Sequence, residues 1–233
     1  MGFVALAIAQ SSFQVASIKA NHSGERIMHY QPQPGGGFTA TNCSLSLLIR
    51  YAYGLYSFQI SGAPGWVQSD RYDIAAKSGN ETPTRDIPAM VQRLLEDRFQ
   101  LQYHWESKEA SAYALVVIKP GRLRAAAPGD CPPDAGCGAL LNIPGNTSGR
   151  QLTSADLAAS LATFVARPVV DKTALAGKCD VELQWTPDDV RRPDADAPSI
   201  FTALQDQLGL KLESARTSVK TFVIDRVAKP SEN

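Results

Sequence analysis

The chain is poor in the features from which an activity is usually read. Only three histidines occur among 233 residues. No serine sits in G-x-S-x-G, and there is no H-E-x-x-H, Walker loop or dinucleotide glycine fingerprint. Their absence removes the common signatures of serine hydrolases, zinc peptidases and nucleotide-binding enzymes. Gly35-Gly36-Gly37 lacks the lysine and the following helix that a phosphate cradle needs, so it reads as a flexible turn. An excess of charge is missing too. Lysine plus arginine and aspartate plus glutamate both number 23, which leaves no electrostatic footprint for nucleic acid and no polybasic run for a membrane surface. No stretch approaches the roughly 20 apolar residues of a membrane span, and a soluble mature protein without a span is expected.

Cysteine is scarce but informatively placed. Cys131 and Cys137 lie in a Pro/Gly-rich stretch where a short disulfide loop is sterically easy, whereas zinc would need more ligands than this pair offers. A structural disulfide is the favoured reading over a metal site, and no cofactor is expected. Cys43 and Cys179 read equally as a second bridge or as two buried thiols. At the start, Phe3-Val4-Ala5-Leu6-Ala7-Ile8-Ala9-Gln10 resembles the end of a secretory signal, with Ala7 and Ala9 at small-residue positions. The charged n-region is missing, so residues 1–10 read as a signal remnant in preference to a buried strand. An extracytoplasmic protein, periplasmic or secreted, is expected.

What the chain does have is a pattern said twice. Residues 89–115 and 198–224 overlay without a gap: subtracting 109 pairs Leu204 with Leu95, Asp206 with Asp97, Leu208 with Phe99 and Phe222 with Tyr113. In each copy an apolar spacing of helical period gives way at once to alternation of period two. The expected reading is helix, strand, turn, strand. Upstream, Asp73 falls beside Asp180 at an offset of 107, and Thr41 and Leu45 beside Thr153 and Leu157 at 112.

The predicted elements follow. Phe13–Ile18 and Phe38–Thr41 alternate as strands, separated by a polar, glycine-rich connection. A helix is predicted from about Ser44 to Tyr53, capped by Asn42 or Ser44 and stopped by Gly54. Short strands at Phe58–Ile60 and Arg71–Ala76 precede a helix from Pro88 to Phe99. An antiparallel pair at Gln100–Ser107 and Ala112–Ile118 closes the first half. In the second half, Thr153 and Asp156 have capping-box spacing before a helix to Val165. Strands at Val169–Val170 and Asp180–Leu183, a helix near Pro198–Leu208 and strands Lys211–Ser214 and Val219–Val227 complete it. The fold class is therefore α+β, two related halves each setting a helix on a small, largely antiparallel sheet. The expected boundaries are 11–119 for the first half, 120–149 for a Pro/Gly-rich linker with the cysteine pair, 150–228 for the second half and 229–233 for a tail.

The segments Phe13–Lys19, Leu48–Gly54, Gln59–Gly62 with Pro64-Gly65-Trp66, Pro168–Thr173, Leu208–Glu213 and Lys229–Asn233 resemble a family of uncharacterised exported proteins abundant in soil Acidobacteria. The resemblance implies a domain of unknown function, related to domains joined in some proteins to membrane metallopeptidases of the antibiotic-sensor type. This chain departs from the family pattern at Ala174, where glycine is usual, and at Cys179, where an aromatic is usual before Asp180. The strand–helix–strand opening of each half also resembles the short N-terminal modules of secretins and TonB-dependent receptors.

Few residues offer chemistry. Alternation along Leu101–Glu106 puts His104 and Glu106 on one sheet face, where a carboxylate beside an imidazole could orient a general base or help bind a metal. A solvated sheet face is the favoured alternative, since Lys211 and Glu213 occupy the equivalent positions in the second half. Asp171 and Lys172 follow a short apolar strand, where loops often carry function, but the favoured reading is that Asp171 starts a turn by bonding a backbone amide, with Lys172 exposed and Gly177 supplying a positive φ. Tyr51, Tyr53 and Trp66 are candidates to line an apolar groove and are also ordinary core aromatics. The expected function is a binding module of the bacterial cell envelope, its partner a small ligand or an envelope protein. A hydrolase using His104 and Glu106, with or without a metal, and a purely structural envelope domain are the alternatives.

Overall fold

A computed structural model describes residues 12–127, 137–187 and 198–230. The chain is an α+β protein whose contacts divide it into two units. Described residues up to Glu106 and from Lys220 onward make the first; Ser107–Val219 belong to the second.

In the first unit the strands β1 (Phe13–Ala20), β2 (His29–Gln33), β3 (Gly37–Ser44) and β5 (Arg71–Ser78) form an antiparallel sheet in the order β1-β5-β3-β2. Between β3 and β5 come the helix α1 (Leu45–Tyr53), the two-residue strand β4 (Ile60–Ser61) and the short helix α2 (Trp66–Ser69). The helix α3 (Ile87–Phe99) then leads into β6 (Gln102–Val117). α1 starts where Ser44 accepts a hydrogen bond from the Leu47 amide at 3.2 Å, and it stops at left-handed Gly54. α3 turns Ile87, Met90, Val91, Leu94, Leu95 and Phe99 inward, a helical spacing that seals it onto the sheet. Phe38, Leu48, Ile49 and Phe222 are buried in the same core.

In the second unit β7 (Arg124–Ala125), β8 (Leu140–Ile143), β9 (Asn146–Leu152) and β11 (Cys179–Gln184) form a sheet in the order β7-β11-β9-β8. The helix α4 (Ser154–Val165) and the strand β10 (Val169–Asp171) come between β9 and β11. The short helix α5 (Ile200–Ala203) continues as one π-helical turn, Leu204–Leu208, into β12 (Leu210–Arg226). The anticipated capping box is present: the Asp156 amide donates to Thr153 Oγ1 at 3.1 Å, and the Thr153 amide donates to Asp156 Oδ2 at 2.9 Å. Leu115, Leu152, Leu157, Leu161, Leu183 and Leu204 are fully buried in the core.

The same strand order thus occurs in both units, and details recur with it. Asn42 and Gln151, 109 residues apart, both have φ of 56° and each sits at a break in ladder register. The Asn42 amide donates to Asp73 Oδ1 at 2.9 Å, and the Gln151 amide donates to Asp180 Oδ1 at 3.1 Å. β4 pairs in parallel with β12, Ile60 beside Phe222; β10 pairs in parallel with β6, Val169 beside Tyr113. Both members of the second pair are offset by 109 from a member of the first, with the strands exchanged.

Four expectations are corrected. Neither hairpin exists: β6 and β12 are single strands of 16 and 17 residues, each divided between the units. Residues 104–109 are exposed on both faces, so the alternation lapses there and the polar run imitates a turn. The helix starts align at an offset of 109, Ser44 with Thr153, rather than 112. The stretch 120–149, expected as a linker, supplies β7, β8 and the start of β9 to the second sheet. The connection before β3 likewise contains β2, whose Pro32 is tolerated because β2 is an edge strand.

Candidate functional site

His104 lies on β6 and its Nδ1 is 2.8 Å from Asp225 Oδ1 and 3.0 Å from Asp225 Oδ2. Its carboxylate partner is thus Asp225 of β12, where sequence alternation had proposed Glu106. Both side chains are about half exposed, at 53% and 47%. In the second half the Lys211 ammonium lies 3.1 Å from Glu213 on the face equivalent to that of His104. Paired polar side chains on an open strand orient each other, whereas acid–base chemistry needs a third polar group converging on the pair in a cleft. Among the described residues no cluster of three His, Cys, Asp or Glu side chains could hold a metal ion.

The three aromatic candidates pack against the first core and make different contacts there. Tyr51 stacks on Phe38 at 5.2 Å and tilts against Tyr30 at 5.0 Å. Two residues on, Tyr53 packs on Tyr103 and Phe222 at 5.0 and 4.7 Å, and its hydroxyl donates to Glu96 at 3.1 Å. Burial, then Glu96 and Tyr103, pushes the Tyr53 phenol far up from its ordinary range, so it stays a neutral donor. Trp66 is half-buried beneath the Lys229 ammonium, which lies 5.7 Å from its ring centre.

Asp171 makes a turn. Its Oδ1 accepts from the Thr173 amide at 2.9 Å and from Thr173 Oγ1 at 2.7 Å, and its Oδ2 accepts from Ser154 Oγ at 2.5 Å. This fastens the end of β10 to the start of α4. Lys172 donates its backbone amide to Leu115 and exposes its side chain. Ala174 holds φ of 54° and Gly177 of 90°. Cys43 and Cys179 are free thiols, each buried. Burial pushes both thiols up, which disfavours the reactive thiolate. Cys131 lies outside the described residues, and with it the expected pairing to Cys137.

What the residue-by-residue reading missed is a pair of clefts, one per unit, at the same place in the topology. Each lies beside the edge strand β1 or β7, against the run into β5 or β11, under the segment that follows β12 or β6. In the first unit the cleft holds about 380 Å³ and is lined by Ile18, Ala20, His22, Asp70, Tyr72 and Lys229 among others. Lys229 Nζ reaches Asp70 Oδ2 at 2.6 Å. Lys229 thereby holds the Asp70 carboxyl below its usual range. In the second unit the cleft holds about 130 Å³, with Leu123, Leu175, Cys179, Leu208 and Leu210 in its walls. Pro120 and Gly121 line it where Lys229 and Pro230, 109 residues later, line the first. A wider groove of about 730 Å³ on the second unit gathers Arg122, Arg124 and Arg150 with Asp180 and Glu182, so two of its three positive charges are offset. The 109-residue offset was the signal that could have found the paired clefts, since it sets Trp66 against Leu175 and Phe99 against Leu208.

The model of one protein family, described as a protein of unknown function (DUF3738), matches residues 46–227. No curated protein and no solved structure matches the chain.

Proposed function

We propose, from the premise that the chain belongs to the DUF3738 family of proteins of unknown function, that it is a ligand-binding module of the bacterial cell envelope, built by duplication of one α+β unit. The observation that carries this reading is the recurrence of a cleft at one topological position in both units. A chance surface hollow has no reason to recur where the lining residues differ so much. Concave sites with apolar walls and a few polar groups are the usual form of a small-molecule site. The hydrolase reading rests on the His104–Asp225 pair, which has an imidazole beside a carboxylate but sits on an exposed strand.

The test is a fragment library added to isotope-labelled full-length protein, read by amide chemical shifts, beside a broad hydrolase panel on wild type and His104→Ala. Shifts should cluster at Asp70–Tyr72 and Lys229, or at Lys119–Gly121 and Ala176–Cys179, with no turnover by either protein. Turnover abolished by His104→Ala would replace this reading with the hydrolase. Silence at both clefts would leave a structural domain.

The extracytoplasmic location draws support from Cys131 and Cys137, close in sequence in a stretch where a bridge is easy. Mass spectrometry of unreduced, periplasmically expressed protein should find them joined, at a stabilisation of about 2 kcal/mol in the chain-entropy account. Two free thiols would count against export.

A further inference from the structure

The first unit shows what the cleft of the second is missing. Trp66 and Leu175 are equivalent at the 109-residue offset, as are Phe99 and Leu208. Tyr72 and Cys179 are equivalent at 107, each directly before the aspartate that holds the strand bulge. In the first unit Tyr72 packs edge-on against Phe99 at 5.2 Å, both buried, and Trp66 lies under Lys229. The second unit replaces these three rings with two leucines and a cysteine. Leu208 and Cys179 remain buried, while Leu175 is 43% exposed at the rim.

The cleft at this place in the second unit is walled largely by apolar side chains. Its 130 Å³ are walled by Val117, Leu123, Cys179, Leu208 and Leu210. An apolar cavity of about 150 Å³ stays dry and takes up benzene. The backbone keeps the cleft's shape: Gly209, at φ of 67°, packs so close to the Lys119 carbonyl that any side chain would collide with it. Ile118 and Lys119 both donate their amides to the Gly209 carbonyl, at 2.9 and 3.0 Å.

The lining is not wholly apolar. Lys119 and Lys178 also line the cleft, both exposed. Neither has an ion-pair partner among the described residues. The charge of Lys178 is felt by Asp156, whose carboxylate is already taken up by the Thr153 cap. Apolar walls with two ammonium groups that have no ion-pair partner among the described residues fit an amphiphile with an anionic end.

We propose that the cleft of the second unit binds the apolar end of a small carboxylate, an alkyl or aryl group seated among Leu123, Leu175, Cys179 and Leu208 with its carboxylate facing Lys119 and Lys178. This rests on the binding reading above and names its ligand class.

The experiment uses labelled full-length protein titrated with octanoate, 1-octanol and acetate, following amides of Lys119–Gly121 and Leu175–Cys179. Octanoate should move them saturably. 1-Octanol should bind at the same place roughly three- to tenfold more weakly, the range expected when exposed ion pairs are lost. Acetate should leave them in place. Leu175→Trp, which restores the ring found in the first unit, should weaken octanoate by about tenfold or more, as expected when a ring excludes a buried alkyl chain. Lys119→Gln with Lys178→Gln changes only exposed side chains; it should weaken octanoate towards the affinity of 1-octanol and leave 1-octanol unchanged. The proposal is overturned if octanoate moves nothing at this cleft, if acetate acts as well as octanoate, or if the double lysine variant binds octanoate as wild type does. Octanoate failing while other fragments occupy either cleft removes the ligand class alone. No fragment at either cleft removes the binding reading itself.

Discussion

Asp73 and Asp180 do the same small job in the two units. Each carboxylate oxygen captures the amide of a residue forced into left-handed backbone at a ladder break, Asn42 in one case and Gln151 in the other. The donor would otherwise be stranded, and an unsatisfied buried donor is costly. Asp73 also accepts from Asn21 Nδ2 at 2.8 Å. Asp73→Ala should therefore lower stability by about 1–3 kcal/mol in denaturant unfolding, with Asp180→Ala losing less because among the described residues its side chain accepts one hydrogen bond where Asp73 accepts two. An Asp73→Ala midpoint equal to wild type would show that water replaces the carboxylate at no cost. The recurrence of this aspartate was legible in the sequence, but its partner was not. A positive φ at asparagine or glutamine leaves no mark in hydropathy.

Asp171 allows a prediction in pH. Burial pushes its carboxyl upward, but hydrogen bonds from Ser154 Oγ and from the Thr173 amide and hydroxyl outweigh burial and leave it below the ordinary value. A folded value below the unfolded one means that the unfolded chain takes up its proton first as pH falls. The stabilisation is complete above the unfolded value of about 4 and is lost as pH drops through the folded value. The stability gap between wild type and Asp171→Asn should accordingly be largest near pH 6 and shrink towards pH 3. Asp70 and Asp156 are depressed in the same direction, but they are common to both proteins and cancel in the difference. A gap that does not change with pH would refute the turn-stabilising role.

At the scale of elements, the helices were well marked because their ends carry explicit chemistry. Ser44 with Gly54, and Thr153 with Asp156, are start and stop signals that act over a single turn. The edge strands β2 and β8 were hidden, β2 because it is polar and carries Pro32, β8 because its four residues are too few to show a period, and each gains its identity from the strand beside it. The central part of β6 was misread for a related reason. Alternation marks a strand with one wet and one dry face, and residues 104–109 have two wet faces. Single prolines separate a strand from a turn here. In a ladder, adjacent residues send their N–H groups in opposite directions, so either Glu109→Pro or Ala110→Pro must remove a ladder hydrogen bond. One of the two variants should lose on the order of 1 kcal/mol of stability. A turn at this point would have no ladder hydrogen bond to lose and would accept proline at its first central position.

At the scale of the molecule, sequence order and spatial grouping part company at β6 and β12. The gapless offset revealed two similar halves and suggested cutting the chain near residue 120. The long strands defeat that cut. β6 begins in the first unit and continues in the second from Ser107, and β12 begins in the second and passes to the first at Lys220. Each unit therefore contains strand from both sides of the chain's midpoint. Phe222, from the last strand, is fully buried in the first core beside Leu95, while Leu115, from before the midpoint, is fully buried in the second beside Leu204. No reading of local pattern could show this, because the exchange alters neither periodicity nor composition. It does predict how the protein behaves when cut. A protease site inserted between Ala127 and Cys131 would keep the cysteine pair on one fragment and sever only the stretch between β7 and β8. The nicked protein should elute from gel filtration at the intact size and separate only in denaturant, because parting the fragments means pulling Leu115 out of one core and Phe222 out of the other. Two fragments that separate in native buffer would mean that each half of the chain is self-sufficient, and the exchange of strands would be refuted.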